Sequence, residues 1–313
     1  MNLDDKILIT GATGLLGAAI VSKLKSQGYV NLLIPTHKEL DLLEINMAES
    51  WFNKHKPSYV FHLASLVYGL KGNLENQLKS IHQNTQINLN ILNACANYSI
   101  KKIFFAGTVA SYPFPYPSLP LEEKFFLDGE PHAGEYGYAT AKRHALSYLK
   151  ILKETKNIDY CYGIFTNMYG INDRYDIDGG HVIPALIKKA LNAIQTDKKS
   201  LTVWGNKNTT RDFLNSKDAA HAAILCMQSF TGAINIASGE SISIEEIVQI
   251  IDEFFEHKLS IIWDKDAPIG VPQRSVNIDK LRSLNFCKHI SLKEGLFESI
   301  NWAQNTRNTL RIK

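Results

Sequence analysis

The run Lys6-Ile7-Leu8-Ile9-Thr10 leads directly into Gly11-Ala12-Thr13-Gly14-Leu15-Leu16-Gly17, and few folds accommodate that junction. Ala18 to Gln27 carries helical periodicity ending at Gly28, and a second apolar run, Val30 to Ile34, completes a βαβ unit. Glycines at this spacing allow a tight strand-to-helix turn and let a pyrophosphate approach backbone N–H groups at the positive end of a helix. Gly17, without a Cβ, lets the helix pack closely on the strand. The G-x-x-G-x-x-G spacing differs from the more familiar G-x-G-x-x-G, and a glycine-rich turn alone can be purely structural. Its strand-turn-helix setting points instead to a dinucleotide site with Gly11, Thr13, Gly14, Leu15 and Gly17 as its contacts.

The end of the second strand reads out the cofactor. A site for NAD usually carries a carboxylate there for the ribose 2′-hydroxyl, whereas this chain has Ile34-Pro35-Thr36-His37-Lys38. His37 and Lys38 match a 2′-phosphate better, so NADP(H) is expected. Asp41-Leu42 and the run Tyr59 to Ala64 continue the parallel-sheet pattern. Asp41, Leu42, Leu63 and Ala64 are therefore further candidates for lining the cofactor, although core packing explains Leu63 and Ala64 equally well.

Lys102 to Thr108 reads as another buried strand, ending in a hydroxyl where open α/β sheets place their chemistry. Further along comes Tyr138-Ala139-Thr140-Ala141-Lys142. If the chain is helical from Tyr136, the i, i+4 spacing puts Tyr138 and Lys142 on one face. A phenol is a poor acid at neutral pH, but an adjacent ammonium stabilises phenolate and lowers its pKa. The same lysine can hold a nicotinamide ribose. A surface pair on an amphipathic helix is the plain alternative, and the glycine turn together with Thr108 favours catalysis.

The expected architecture is α/β, a Rossmann-type doubly wound parallel sheet with a smaller C-terminal substrate-binding lobe. Residues 1–165 plus about 206–238 would form the first domain, and about 166–205 plus 239–313 the second. At 313 residues, 45% hydrophobic and 21% charged, the chain can bury a substantial core as a soluble protein. The formal charge of only +3, with scattered basic residues, suits a small anionic ligand and argues against nucleic acid. Cys95, Cys161, Cys226 and Cys287 show no CxxC spacing and read as reduced core residues of a cytoplasmic protein. No basic leader or membrane-length apolar run is seen, and no metal-ligand cluster; His132, His144 and His221 are isolated. Asp212 to Met227 and Ser243 to Glu256 read as helices and Gly232 to Ala237 as a strand, while Tyr116 to Gly134 reads as a loop expected to border the site.

Taken together, the motifs resemble the extended short-chain dehydrogenase/reductases, and most closely the GDP-L-fucose synthases, which are 3,5-epimerase/4-reductases of a GDP-4-keto-6-deoxy sugar. Besides the glycine turn and Tyr138 to Lys142, the resemblance runs through Glu39 to Leu43, Tyr112-Pro113, Thr166 to Gly170, His181-Val182-Ile183-Pro184-Ala185-Leu186 and Val203-Trp204-Gly205. It implies substrate contacts at Asn167, His181, Val182, Lys189, Trp204 and Arg211. It also implies a homodimer through the helices around Asn84 to Cys95 and Tyr138 to Lys150. Lys189 and Arg211 can neutralise a diphosphate, and Trp204 can stack on a flat face.

One position departs from the family. Epimerisation beside a C4 ketone needs one group to remove a proton and another to return one, which in the family are a cysteine in S-S-C-x-Y-P and the histidine opening H-V-I-P. Here the strand end reads Thr108-Val109-Ala110-Ser111-Tyr112-Pro113, with Ala110 at the cysteine, Thr108 at the reductive serine and His181 retained. Alanine cannot move a proton, and Ser111 in an extended segment would face the other way. The resemblance therefore implies an NADPH-dependent C4 reductase of a GDP-linked 4-keto hexose or heptose, with epimerase activity lost or weak. Catalysis would rest on Thr108, Tyr138 and Lys142, with His181 left to hydrogen-bond substrate. A bifunctional GDP-L-fucose synthase and a non-catalytic NADP-binding sensor are the alternatives, and the retained proton-transfer set argues against a sensor.

Overall fold

The computed structural model describes residues 1–177, 180–196, 199–264, 266–267 and 270–306, and of Leu70 only the backbone. In chain order the elements begin β1 (Ile7–Thr10), α1 (Leu15–Ser26), β2 (Leu32–Leu33), α2 (Ile45–His55), β3 (Tyr59–His62), α3 (Leu70–Glu75) and α4 (Gln77–Asn97). They continue with β4 (Lys102–Thr108), α5 (Tyr136–Lys156), β5 (Asp159–Phe165), β6 (Asn167–Tyr169), α6 (Val182–Ala193), β7 (Ser200–Trp204), β8 (Thr210–Arg211), β9 (Phe213–Asn215) and α7 (Ser216–Ser229). The last are β10 (Gly232–Ile236), β11 (Ile242–Ser243), α8 (Ile244–Phe254), β12 (Ser260–Asp264), β13 (Gln273–Arg274), α9 (Asp279–Ser283) and α10 (Leu292–Asn305).

Six parallel strands form the central sheet in the order β10-β5-β4-β3-β1-β2. α1 packs with α7 and α4 packs with α5. Helices on both faces explain why β1 is buried at all four positions and why Lys102–Phe105 of β4 has no exposed face. Strand order reverses at β1, which lies between β2 and β3, so the carboxyl ends of β1, β3 and β4 open on the crevice where such sheets bind ligands. The doubly wound architecture is as expected.

A second core joins Tyr169, Tyr175, α6, α8 and α10 with Leu201, Val203 and Phe213. The small sheets β11-β8-β13 and β12-β7 belong to this part of the chain. The first core also takes in Val276, Ile278, Leu281 and Phe286 from late in the sequence. Ser243 and Ser291 open α8 and α10 with capping boxes to Glu246 and Glu294, which fix where those helices start.

Several expected boundaries move. α1 begins at Leu15, three residues before the expected start, because Leu15 and Leu16 already carry helical backbone beyond the Gly14 N-cap. The second strand shrinks to Leu32–Leu33, and Val30 is 75% exposed, so that run had no buried face to sustain it. Asp41-Leu42 lies in a turn after β2, not in a strand. Residues 212–215 precede α7, whose N-cap is Asn215, the side chain of which accepts from Lys217 N. Cys95, Cys161 and Cys226 are buried, but Cys287 is exposed, since the segment after α9 runs along the surface.

Candidate active site at the sheet edge

Two glycines of the first turn admit no side chain. A Cβ on Gly17 would meet Gly11 O at 2.1 Å, and one on Gly11, whose φ is +68°, would meet Ala64 N at 2.9 Å. The first is a direct clash with the preceding turn; the second shows β1 and β3 ends pressed together. Gly14 caps α1 with no side-chain hydrogen bond and no acidic residue follows in the first turn, so the first N–H groups of a 12-residue helix keep their positive field. This cradle fits a dinucleotide pyrophosphate, with Gly11, Thr13, Gly14 and Leu15 around it.

Behind the cradle, Thr10 Oγ1 accepts from Leu63 N at 3.1 Å and Ala64 N at 3.2 Å, so its own proton goes to His62 Nδ1 at 2.9 Å. The tautomer this imposes directs His62 Nε2–H to Asn88 Oδ1 at 3.2 Å, and Asn88 donates to Ala141 O at 3.3 Å. The chain of bonds ties β1 and β3 to α5 one residue before Lys142. His62 stays neutral, because burial and the nearby Lys142 push its pKa down to about 3.

At the β2 end, Glu39 caps the turn by accepting from Thr36 N and Oγ1, each at 2.8 Å. His37 and Lys38 are exposed. His37 Nε2 stands 3.6 Å from Asp41 Oδ1, and Asp41 also accepts from Leu43 N at 2.9 Å. Leu42 is buried in the first core, its carbonyl accepting from Asn90, so its side chain serves packing.

Tyr138 and Lys142 lie one turn apart on α5, with the Lys142 Nζ 5.6 Å from the Tyr138 ring centroid. Lys142 is 1% exposed and donates to Ala106 O on β4 at 2.8 Å. Burial pushes its pKa down to about 7. Burial likewise pushes Tyr138 up to about 12, opposed by a hydrogen bond with Ser65 and reinforced by Glu135. The expected lowering of the phenol pKa by Lys142 is thus absent from this arrangement, because the lysine is itself desolvated. Ser65 was not foreseen; it bonds Asn84 Oδ1 at 2.7 Å. Ser80, Asn84 and Asn88 recur every fourth residue on the buried face of α4, a polar ladder that was the readable signal for this support.

A buried cation weakens the protein that carries it. Below pH 7 Lys142 is charged in both folded and unfolded states, and the folded state bears the full desolvation cost; from pH 7 to about 10.5 the unfolded chain binds more protons, and the cost fades. Lys142→Met is therefore expected to stabilise the ligand-free protein, by about 1–3 kcal/mol at pH 6, with the gain vanishing toward pH 10. Denaturant titrations of both proteins across that range check it; a gain that is constant with pH, or a loss, contradicts it.

Thr108 ends β4, and its Oγ1 accepts from Ala110 N at 3.2 Å, leaving the hydroxyl proton free to donate. Val109–Ser111 is a 3-10 turn, not the extended segment expected. Ser111 nonetheless faces away: it is fully buried and its hydroxyl donates to Ala139 O at 3.2 Å. Ala110 is 6% exposed. Arg143 holds the turn from below, donating to Ser111 O at 2.7 Å and to Gly129 O at 2.6 Å. His181 is the exposed N-cap residue of α6, with no side-chain capping bond.

On the lobe side Lys189 lies 4.3 Å over the Trp204 ring and donates to Thr202 O at 3.2 Å. Trp204 is 37% and Val182 41% exposed. Trp204, Asp264 and Ala267 line, together with Lys71, Leu74 and Glu75, an open surface cleft of about 400 Å³. Asn167 donates to Asp212 O at 3.1 Å. Arg211 is half-buried beside Arg274, and desolvation and that neighbouring charge bring its pKa down to about 10. Among the described residues no cluster of three His, Cys, Asp or Glu side chains could hold a metal ion, and no helix is long and apolar enough to cross a membrane.

Residues 7–237 match the model of the NAD dependent epimerase/dehydratase family. The chain is 33% identical over 299 residues to a putative GDP-L-fucose synthase 2 of Arabidopsis thaliana, covering 95% of this chain and 91% of that protein. It is 31% identical over 307 residues to the GDP-L-colitose synthase of Yersinia pseudotuberculosis, covering 97% and 99%. Among solved structures, a GDP-mannoheptose C4 reductase of Campylobacter jejuni with NADP bound superposes with a TM-score of 0.87 at 26% identity, over 97% of this chain and 99% of that one. The glycine cradle, the Tyr138–Lys142 pair and these near full-length matches place the chain in the NAD dependent epimerase/dehydratase family, among the extended short-chain dehydrogenase/reductases related to the GDP-L-fucose synthases.

Proposed function

We propose that this protein is an NADPH-dependent C4 reductase of a GDP-linked 4-keto sugar, a 6-deoxyhexose or a heptose, whose C3/C5 epimerase activity is lost or weak. Ala110 carries the reading: it occupies the turn after Thr108, at the position where the family resemblance implies a proton-transfer cysteine, while the reductive groups remain. The similarity to a C4 reductase with NADP bound supports both the chemistry and the cofactor.

When bound, NADPH supplies the hydride that reduces C4. The Thr108 hydroxyl donates a hydrogen bond to the ketone oxygen, and the Tyr138 phenol gives its proton to the forming alkoxide. Lys142 would hold the ribose and, in its charged form, would ease the loss of that proton. Arg211 and Lys189 take the diphosphate, Trp204 a flat face of the nucleotide, and Asn167, Val182 and His181 border the sugar. Residues 1–165 with about 206–238 would hold the cofactor, and about 166–205 with 239–313 the GDP-sugar. A cytoplasmic homodimer through α4 and α5, with no nucleic-acid partner, completes the reading.

A bifunctional GDP-L-fucose synthase is the second reading, favoured by the 33% identity to a protein of that name. Turnover of a GDP-4-keto-6-deoxyhexose and a GDP-4-keto-heptose with NADPH, with NMR of each product, tests the first against the second. Reduction that leaves C3 and C5 as they were is expected; inverted products from the unaided enzyme contradict it.

The exposed His37 and Lys38, with no carboxylate directly after β2, motivate an expected preference for NADPH over NADH of about tenfold or more in kcat/KM. Lys38→Glu should abolish it. An equal or better kcat/KM for NADH in the wild type contradicts the assignment of this loop.

A further inference from the structure

Arg274 is 6% exposed, and its guanidinium is divided between two segments on the catalytic side of the molecule. Nη2 donates to the Glu135 carboxylate and Nε to the Tyr116 hydroxyl, each at 2.7 Å. Burial alone would raise the Glu135 pKa, yet Arg274 holds it below the usual carboxylate range, so the pair is ionised. Glu135 is the N-cap residue of α5, three positions before Tyr138. Arg274 sits on β13, directly paired with Arg211 on β8.

Two guanidiniums and one carboxylate therefore share a partly buried site, with Arg274 its buried member. Glu135 neutralises Arg274, and the surplus positive charge falls on Arg211, whose partly desolvated guanidinium faces the charge of Arg274 and donates to Thr210 O at 2.7 Å. An anion on Arg211 relieves that repulsion and leaves the carboxylate to Arg274 alone. The charge-assisted Arg274–Glu135 bond, already formed at 2.7 Å, is then strengthened and holds the start of α5 more firmly.

We propose that Arg274 and Glu135 are positioning residues that couple occupation of Arg211 by the substrate's diphosphate to the placement of the helix carrying Tyr138. The inference rests on the reading that a GDP-linked sugar binds at Arg211. It goes beyond that reading in giving the lobe a means of ordering the proton donor. A purely structural staple would hold α5 equally well with the lobe empty or filled.

Hydrogen exchange of the Ala139 to Arg143 amides, measured with and without GDP, separates the two. In the wild type GDP should slow this exchange by about fivefold or more, the lower range of coupling between sites. In Glu135→Gln, which keeps the shape and removes the charge, the effect should fall below about twofold, and kcat should drop roughly tenfold with NADPH affinity unchanged. Arg274→Lys, which keeps the charge and loses the planar fork, should lose the coupling too, and serves if the first variant does not fold. Equal GDP protection of α5 in wild type and folded variants overturns the coupling while leaving the GDP-sugar reading intact. If GDP does not bind the wild type at all, that reading fails and the coupling falls with it.

Discussion

Tyr138→Phe is expected to lower kcat for reduction by about 10² or more while leaving NADPH affinity within about twofold. The ring remains, so the packing of α5 against β4 persists, and only the hydroxyl bonded to Ser65 is lost. The alkoxide formed at C4 then has no positioned acid, and water must reach a site lined by desolvated groups. Because the phenol gives up its proton only as charge develops on the sugar oxygen, the loss should fall on kcat and kcat/KM together. Stopped-flow loss of NADPH absorbance on a GDP-4-keto sugar measures it. Near-normal turnover would remove Tyr138 from the mechanism and, with it, the coupling through Glu135.

The parts of this site that were legible in the sequence are those set by local spacing. Gly11 to Gly17 announces the cradle because the clash of any Cβ on Gly17 with Gly11 O is a property of one turn. Tyr138 and Lys142 could be paired because four residues make one helical turn. Thr108 was found by its place at a strand end.

What escaped depends on distance along the chain. Arg274 meets Glu135 across 139 residues, and nothing in either neighbourhood signals the other. The downward shift of Lys142 arises from the depth of α5 against the sheet, which a residue string does not carry. The true length of β2 was hidden because an apolar run such as Val30 to Ile34 says nothing of whether a face exists to bury it. The ladder Ser80, Asn84, Asn88 was readable and passed over, since polar residues at helical spacing usually mark a solvated face.

Ala110→Cys should restore proton transfer if the rest of the pocket still accommodates it. The site is buried at the turn that follows Thr108, and Arg143 braces its neighbour Ser111, so a thiol would take up a fixed position. A positioned acid/base is worth roughly 10²–10⁴ in rate, and deuterium exchange at C3 or C5 should rise within that range over the wild type. Ser111 does not substitute, because its hydroxyl is fully buried and bonded to Ala139 O. A folded variant that exchanges no faster than wild type would mean the sugar lies differently from the family pose.

The most direct measurement is made on the unaltered protein, incubated with a GDP-4-keto sugar in deuterated water without NADPH and followed by NMR at C3 and C5. Reduction is then blocked, and any working epimerase still washes deuterium into both carbons. The account predicts exchange no faster than the uncatalysed background, followed by reduction at C4 as soon as NADPH is added. Rapid incorporation at both carbons would contradict it and make the protein a bifunctional epimerase/reductase despite Ala110.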